Sequence, residues 1–563
     1  MKEEIKKILQ QATGLADIAL ETPKEKTHGD YSSNVALVLA KKSGKDPLEV
    51  ANEIIAKIGK QKFIEKVEVA GPGFINFYLS CDFFVDELKK VGKNFGRSNS
   101  LKSKKVIVEY TDPNILKEFH IGHLMSNAIG ESISRIFEFQ GAKVKRANYQ
   151  SDVGMHVAKA IYGKMKNSLY AWPDAYVFGA QKYEADEAAK KEMVALNKKI
   201  FSARGGSVPL ARGEMGGEHV DAKAIRLYDE GKKWSLKYFE GVYKKLGTKF
   251  DYYFLESQVA DFGKKIVEEG LKKGIFETGE RGAIIFEGGK SDLHTRVFIN
   301  SEGLPTYEAK ELGLANVKYK KYAYDTSVIV TGNEINEYFK VLMAAMAEVF
   351  PELQKKTKHI GHGMLRLPEG KMSSRTGKVV TFEFLLNEVE KLVKEKIASR
   401  DFSEKEKEEI IEKVAMGAVK YSILKQSIGS DIIYDFEKSI SFEGDSGPYL
   451  QYSYVRAVSV LAKAKAEKVK ASFKKTPQGI TQLEKMMVRF SEVVEKAGET
   501  YEPHVITLYL TELAREFNNY YAHNVIVNKK DEFSPYKVAL TQAFAQVIKN
   551  GLWLLGINAP EKM

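Results

Sequence analysis

The chain has 563 residues and a mass of 63.3 kDa, room for roughly three to five domains at about 100–200 residues each. Hydrophobic residues at 44%, charged residues at 29% and a mean hydropathy of -0.32 are a globular balance; no apolar run approaches the ~18–20 residues of a spanning helix, so no membrane partner is expected. Cys81, the one cysteine, excludes an intrachain disulfide framework and every multi-cysteine zinc site, and reads as a small buried hydrophobe. The charged start Met1-Lys2-Glu3-Glu4-Ile5 lacks the apolar core of a signal peptide, and a cytoplasmic location is expected. Lys and Arg total 87 against 75 Asp and Glu, a net +12. That excess favours a polyanionic partner, nucleic acid first, although a solvated basic surface gives the same arithmetic.

In chain order, residues 1–20 read as a helix, with Ile5, Ile8, Leu9, Leu15 and Ile18 near one face. A second helical stretch follows over 34–58, then strand, turn and strand through Val67–Val69, Gly71-Pro72-Gly73 and Phe74–Leu79. A small α+β domain is expected over 1–100. Strand and helix then alternate: strand Val106–Tyr110, helix Leu124–Phe139, strand Lys143–Tyr149, a mostly helical insertion over about 157–280, strand Ser327–Thr331, helix Glu334–Val349 and strand His359–Leu365. This predicts a Rossmann-like parallel sheet with right-handed crossovers in a catalytic domain over 101–385. From 386 to 563 the stretches 404–425, 447–471, 480–500, 503–523 and 533–555 read as helices of an all-α bundle.

His120-Ile121-Gly122-His123 falls between the strand ending at Tyr110 and the helix ending at Phe139, at the carboxyl end of a first parallel strand where open α/β sheets bind ligands. Two histidines at i, i+3 share a face of the helix start. Gly122 leaves room for a ligand to approach the backbone, and free N–H groups favour phosphate. His359-Ile360-Gly361-His362 repeats the tetrapeptide but leads into Met364-Leu365-Arg366-Leu367, which reads as strand; there Gly361, Gly363 and Met364 are expected to lie against adenine. Lys371-Met372-Ser373-Ser374-Arg375-Thr376-Gly377-Lys378 is a hydroxyl- and cation-rich loop suited to closing over a triphosphate. Gly288-Gly289-Lys290-Ser291 is discarded as a P-loop, because Ile284 stands where its first glycine belongs.

The H-x-G-H and the later lysine–serine loop resemble those of the class I aminoacyl-tRNA synthetases, and the likeness extends to the arginyl-tRNA synthetase family over nearly the whole chain. It is carried by His28-Gly29-Asp30-Tyr31-Ser32-Ser33-Asn34, Gly71-Pro72-Gly73-Phe74-Ile75-Asn76-Phe77, Val108-Glu109-Tyr110-Thr111-Asp112-Pro113-Asn114, the segment 441–452 and the ending 554–563. The resemblance implies ATP-dependent activation of L-arginine and its transfer to the 3' adenosine of the tRNA for arginine. ATP enters with Mg2+, no protein-bound zinc or other metal is expected, and the chain is expected to be a monomer. It implies His120, His123, Lys117 and Lys371 as catalytic groups and, with Gly122, Ser373 and Ser374, as ATP contacts. Glu109, Asp112, Asn114, Tyr307, Glu311 and Asn333 would hold arginine, Glu109 taking the guanidinium through two parallel bonds and Asn114 the α-amino group. Phe74 and Asn76 of a tRNA-elbow domain, and Tyr452 and Arg456 of an anticodon-binding domain, would touch tRNA. The chain departs from the family pattern in four places, one of them covering two residues. Glu311 replaces an Asp, Asn333 a Gln and His156 a Gln. In the loop, Ser374 and Thr376 stand where lysines are usual, which leaves Lys117, Lys371 and Lys378 as candidates for one phosphate role. The alternative reading is a non-catalytic tRNA-binding paralogue.

Overall fold

The computed structural model describes residues 1–23, 25–204, 218–291, 293–368 and 380–563. They form two compact units, one of residues 1–95, 457–490 and 516–547, the other of 96–456, 491–515 and 548–563. The segment expected to be a separate N-terminal domain thus shares a unit with part of the C-terminal helical region.

In the first unit, β1 (Tyr31–Ser33), β2 (Ile64–Ala70) and β3 (Phe74–Leu79) form an antiparallel sheet in the order β1-β3-β2. Ile75 and Phe77 of the central strand pack with Ile5 and Leu9 of the helix Lys2–Thr13 and with Val35, Ile54 and Ile58. The single helix expected over 34–58 is two helices. Gly44, at φ 71, ends the first; Asp46 starts the second by accepting the Leu48 and Glu49 N–H groups beside Pro47. Asp30 is buried, and its carboxylate accepts from Lys485 Nζ at 3.0 Å, Arg489 at 3.4 Å and the Leu79 N–H at 2.9 Å.

The second unit is built on a five-stranded parallel sheet. It contains β4 (Lys105–Tyr110), β5 (Lys143–Gln150) and β6 (Tyr252–Leu255). A small antiparallel sheet, β7 (Glu277–Thr278), β8 (Ile284–Phe286) and β9 (Arg296–Ile299), precedes β10 (Thr326–Gly332) and β11 (Thr357–His362). The order β11-β10-β4-β5-β6 places the first strand in the middle. The chain fills one side through β5 and β6 and then crosses to the other, so the topological switch lies between β4 and β10. β6 interrupts the mostly helical insertion expected over about 157–280 with a strand of the main sheet. The helices Met155–Lys166, Trp172–Ala185, Glu187–Arg204 and Glu218–Leu246 leave the core, and the chain rejoins the sheet at Tyr252. β7, β8 and β9 follow. Four residues are too few to display a period against long helical neighbours.

Glu404–Leu424, Gly447–Ala466, His504–His523 and Ser534–Leu554 are helices close to the expected bounds. The stretch 480–500 is two helices, Gln482–Val488 and Phe490–Thr500. Strand character does not end at 386, because β13 (Ile432–Ile433) pairs in parallel with β12 (Leu365–Arg366). Among the described residues no helix is long and apolar enough to cross a membrane.

Candidate active site

His120 is the N-cap of the helix Ile121–Phe139, and His123 is its third residue. His120 Nδ1 accepts the Gly122 N–H at 3.2 Å, and His123 Nδ1 accepts the His120 N–H at 3.2 Å, a capping box made of two imidazoles. The rings stack with centroids 3.5 Å apart and planes 21° apart. A Cβ at Gly122 would stand 3.0 Å from the His120 ring, so the glycine clears space for that ring. Burial, then the Lys117 charge, pushes His120 down to about 4; burial with His120 and Lys117 holds His123 well below the usual imidazole value. Both rings are therefore neutral near pH 7. With each Nδ1 accepting, the proton of each sits on Nε2, so the pair presents uncharged N–H donors.

The link from β4 to this helix is strained. Thr111, Asp112 and Leu116 have φ of 84°, 43° and 66°, three left-handed non-glycine residues in six positions. Such residues cost about 1–3 kcal/mol each and persist where their surroundings over-determine them. Here the Thr111 N–H donates to Ser126 Oγ at 2.9 Å, the Leu116 N–H to Ser235 Oγ at 2.8 Å, and the Tyr149 N–H to Asp112 Oδ1 at 2.7 Å. Lys117 follows directly, its ammonium 4.4 Å from the Tyr176 ring centre.

On one face of the sheet the helix Tyr307–Lys321 carries Tyr307, Glu311, Leu314 and Lys318 at i, i+4, i+7 and i+11, a single stripe. Glu109 faces it from β4 and is 1% exposed; Lys318 Nζ donates to its Oε2 at 2.7 Å and is 2% exposed. Burial, with Glu109 adding its charge, pushes Glu311 up to about 8 and holds Asp112 well above the usual carboxylate value. Burial works against the Lys318 charge, but Glu109, Tyr324 and Glu311 together outweigh it and hold the amine above its ordinary value. An acidic pocket is the result, with Lys318 and Lys310 as buried cations of its own, a site for a cationic ligand. Glu109 does not offer both oxygens freely, as the sequence reading required. Nearby, the buried hydroxyl of Tyr149 has no hydrogen-bond partner.

Asn114 bridges in parallel to Ser151, the residue after β5, and Asn333 opens the turn after β10, so both lie beyond the carboxyl ends of the strands that flank β4. Tyr307 is 55% exposed, with Lys310 Nζ 4.6 Å from its ring centre. His156 bonds the Ser151 carbonyl through Nε2 at 3.1 Å. In the second tetrapeptide, His359 stacks on Phe339 at 3.7 Å and His362 Nδ1 bonds the Gly363 carbonyl at 2.7 Å. A Cβ at Gly361 would strike the Asn336 side chain at 2.0 Å, and one at Gly363 the Ser430 carbonyl at 2.1 Å. Protein packing alone therefore already requires glycine at these two positions. Met364 is 42% exposed, its N–H bound to Asp431. Lys371, Ser373, Ser374, Thr376 and Lys378 lie outside the described residues. The residue that follows them is tied to the histidine helix: the Ile121 N–H donates to the Val380 carbonyl at 3.1 Å.

Of the residues expected to touch tRNA, Phe74 is 39% exposed. Asn76 is 2% exposed on the central strand of its sheet, which corrects its expected role as a group offered to a base. Tyr452 and Arg456 stack, the guanidinium 4.7 Å from the ring centre. Among the described residues no group of three or more His, Cys, Asp or Glu side chains is arranged to hold a metal ion. Sequence reasoning missed Lys318, the buried Lys310–Glu256 pair, and Asp152, which accepts from Lys232 Nζ at 2.7 Å and from Ser257. The stripe through Tyr307 and Glu311 was the available signal for Lys318.

An imidazole-capped helix after the first parallel strand, beside the switch of the sheet, is the arrangement of a class I aminoacyl-tRNA synthetase. Three family profiles match in order: an arginyl tRNA synthetase N-terminal domain over 1–79, the class I (R) tRNA synthetase catalytic domain over 87–436, and a DALR anticodon-binding domain over 450–563. The arginine–tRNA ligase of Clostridium acetobutylicum is 33% identical over 571 residues, covering 100% of this chain and 99% of its own. That of Clostridium perfringens is 32% identical, covering 97% and 96%. The Thermus thermophilus arginyl-tRNA synthetase structure shares the fold across 100% of both chains, with a TM-score of 0.78 at 23% identity. The chain belongs to the arginyl-tRNA synthetase family.

Proposed function

We propose that this chain joins L-arginine to the tRNA for arginine at the expense of ATP. One observation carries this reading: a neutral imidazole pair and an acidic pocket with a raised Glu311 lie on either side of one strained segment at the end of β4. The arginine carboxylate attacks the α-phosphorus of ATP, the bond to pyrophosphate breaks, and the terminal adenosine of tRNA then takes the arginyl group from the adenylate. No protein nucleophile is needed; positioning and charge stabilisation suffice.

In this reading His120 and His123 donate Nε2–H bonds to phosphate oxygens without adding charge. Lys117 and Lys371 supply the cations, and Gly122 keeps the His120 ring in place. Mg2+ arrives with ATP as part of the substrate. Glu109 and Glu311 share the guanidinium, Asp112 borders it, Asn114 takes the α-amino group, and Tyr307 and Asn333 close the pocket edge. Residues 1–100, through Phe74, meet the tRNA elbow; residues 386–563, through Tyr452 and Arg456, meet its stem and anticodon. The enzyme acts as a cytoplasmic monomer. Transfer of labelled arginine to purified tRNA tests this: tRNA for arginine should be charged, and tRNA for lysine left uncharged. Equal charging of both would refute the assignment.

A further inference from the structure

Building on the proposed arginine pocket, we infer that Lys318 determines its preference for a guanidinium over an ammonium: by occupying Oε2 of Glu109, it leaves that residue a single-oxygen acceptor, so the substrate's cation must span from Glu109 to Glu311.

Glu109 and Lys318 are almost wholly buried, so neither exchanges its partner for water. Lys318 is seven residues beyond Glu311 on the same stripe, about 10 Å along the helix axis at ~1.5 Å per residue. Lysine side chains on a helix tilt toward its N-terminus, so Lys318 reaches Glu109 from the far end of the stripe. The end carrying Glu311 and Tyr307 is left to the ligand. Asp112 already has Oδ1 engaged by the Tyr149 N–H. The Glu311 carboxylate makes no hydrogen bond or ion pair among the described residues. What remains for a cation is therefore an oxygen of Glu109 and the carboxylate of Glu311, on two different elements. A planar guanidinium carries divergent donors on a rigid frame and can bridge such a pair. A compact ammonium approaches one carboxylate, and the best position on Glu109 is held by the protein's own ammonium. Lys318 thus acts through Glu109 as a positioning residue.

The test measures arginine-dependent pyrophosphate exchange, with tRNA present, for Lys318→Met, Lys318→Arg and Glu109→Gln, together with activation of L-lysine. Removing a hydrogen bond to a charged group should raise the KM for arginine ~10–100-fold in Lys318→Met. The KM for ATP should stay within ~2-fold, and the arginine-to-lysine ratio of kcat/KM should fall by at least ~10-fold. Lys318→Arg, which keeps a cation on Glu109, should recover most of the loss. An unchanged arginine KM, a parallel rise in both KM values, or an unchanged ratio would overturn the inference and leave Lys318 a core ion pair. If Lys318→Met does not fold, the neutral pair Lys318→Met with Glu109→Gln takes its place. It should discriminate less than Glu109→Gln alone, and equal ratios overturn the inference. An arginine KM unmoved by Glu109→Gln would instead refute the proposed pocket itself, whatever Lys318 does.

Discussion

The imidazoles of His120 and His123 stack at 3.5 Å while each receives a backbone N–H on Nδ1. Backbone geometry thereby fixes both tautomers, and burial with Lys117 nearby keeps both rings uncharged. The pair can stabilise developing charge on a leaving pyrophosphate without titrating near neutrality.

The first prediction follows. His120→Ala or His123→Ala should lower kcat for adenylate formation by ~10²–10³, the usual cost of a lost transition-state donor. His362→Ala, in the second tetrapeptide, should cost less. With His120 pushed down to about 4, its neutral form persists across pH 6–8, so neither imidazole should produce an acid limb there. A limb with a midpoint between 6 and 7 that disappears in His120→Asn would contradict neutral donors.

Glu311 yields a pH dependence of the opposite kind. Burial, with the Glu109 and Glu256 charges, pushes its carboxyl up from 4.5 to about 8 against the opposing pull of Lys318 and Lys310. Between those values the folded chain holds a proton that the unfolded chain has lost. Its contribution to stability therefore falls as pH rises through that window. Arginine favours the ionised form, so the KM for arginine should fall as pH rises from about 6.5 to about 8.5, by at most ~10-fold per unit. Glu311→Gln should raise that KM, flatten its pH dependence and spare the KM for ATP. A kinetically silent substitution would remove Glu311 from the pocket.

In the other compact unit, Asp30 holds two cations and an amide. Asp30→Ala should destabilise that unit by about 2–4 kcal/mol, below the full cost of breaking a buried pair because the cations reach solvent. Faster hydrogen exchange at the Leu79 amide is the local readout. Deleting residues 1–100 should likewise destabilise the helix Gln482–Val488, which carries Lys485. Unchanged protection in both variants would refute the coupling.

The parts of the fold with a long period were legible in the sequence. β4 and β10 carry short apolar runs and the histidine helix a long apolar period, β5 follows from its place after that helix, and the H-x-G-H placed the site at the end of β4. β6 was too short to show a period, and the break after Gly44 lay inside a stretch of continuous helical pattern. Side-chain exposure was harder to read. Asn76 shares a strand face with the exposed Phe74, yet its own side chain is buried, which alternation alone does not reveal. Gly361 and Gly363 looked like ligand clearances because close packing against Asn336 and Ser430 is invisible in sequence. Lys318 sits beside Tyr319-Lys320-Lys321 and looked like one more solvated lysine; only its place on the stripe with Tyr307 and Glu311 sets it apart.

Pyrophosphate exchange into ATP, measured with each of the standard amino acids in the presence of the tRNA for arginine, tests the central claim most directly. Arginine alone should support exchange, lysine should fall ~10⁴-fold or more below it, and Glu109→Gln should reduce the preference without removing it. Exchange supported equally by lysine, or arginine exchange undiminished by Glu109→Gln, would contradict the account.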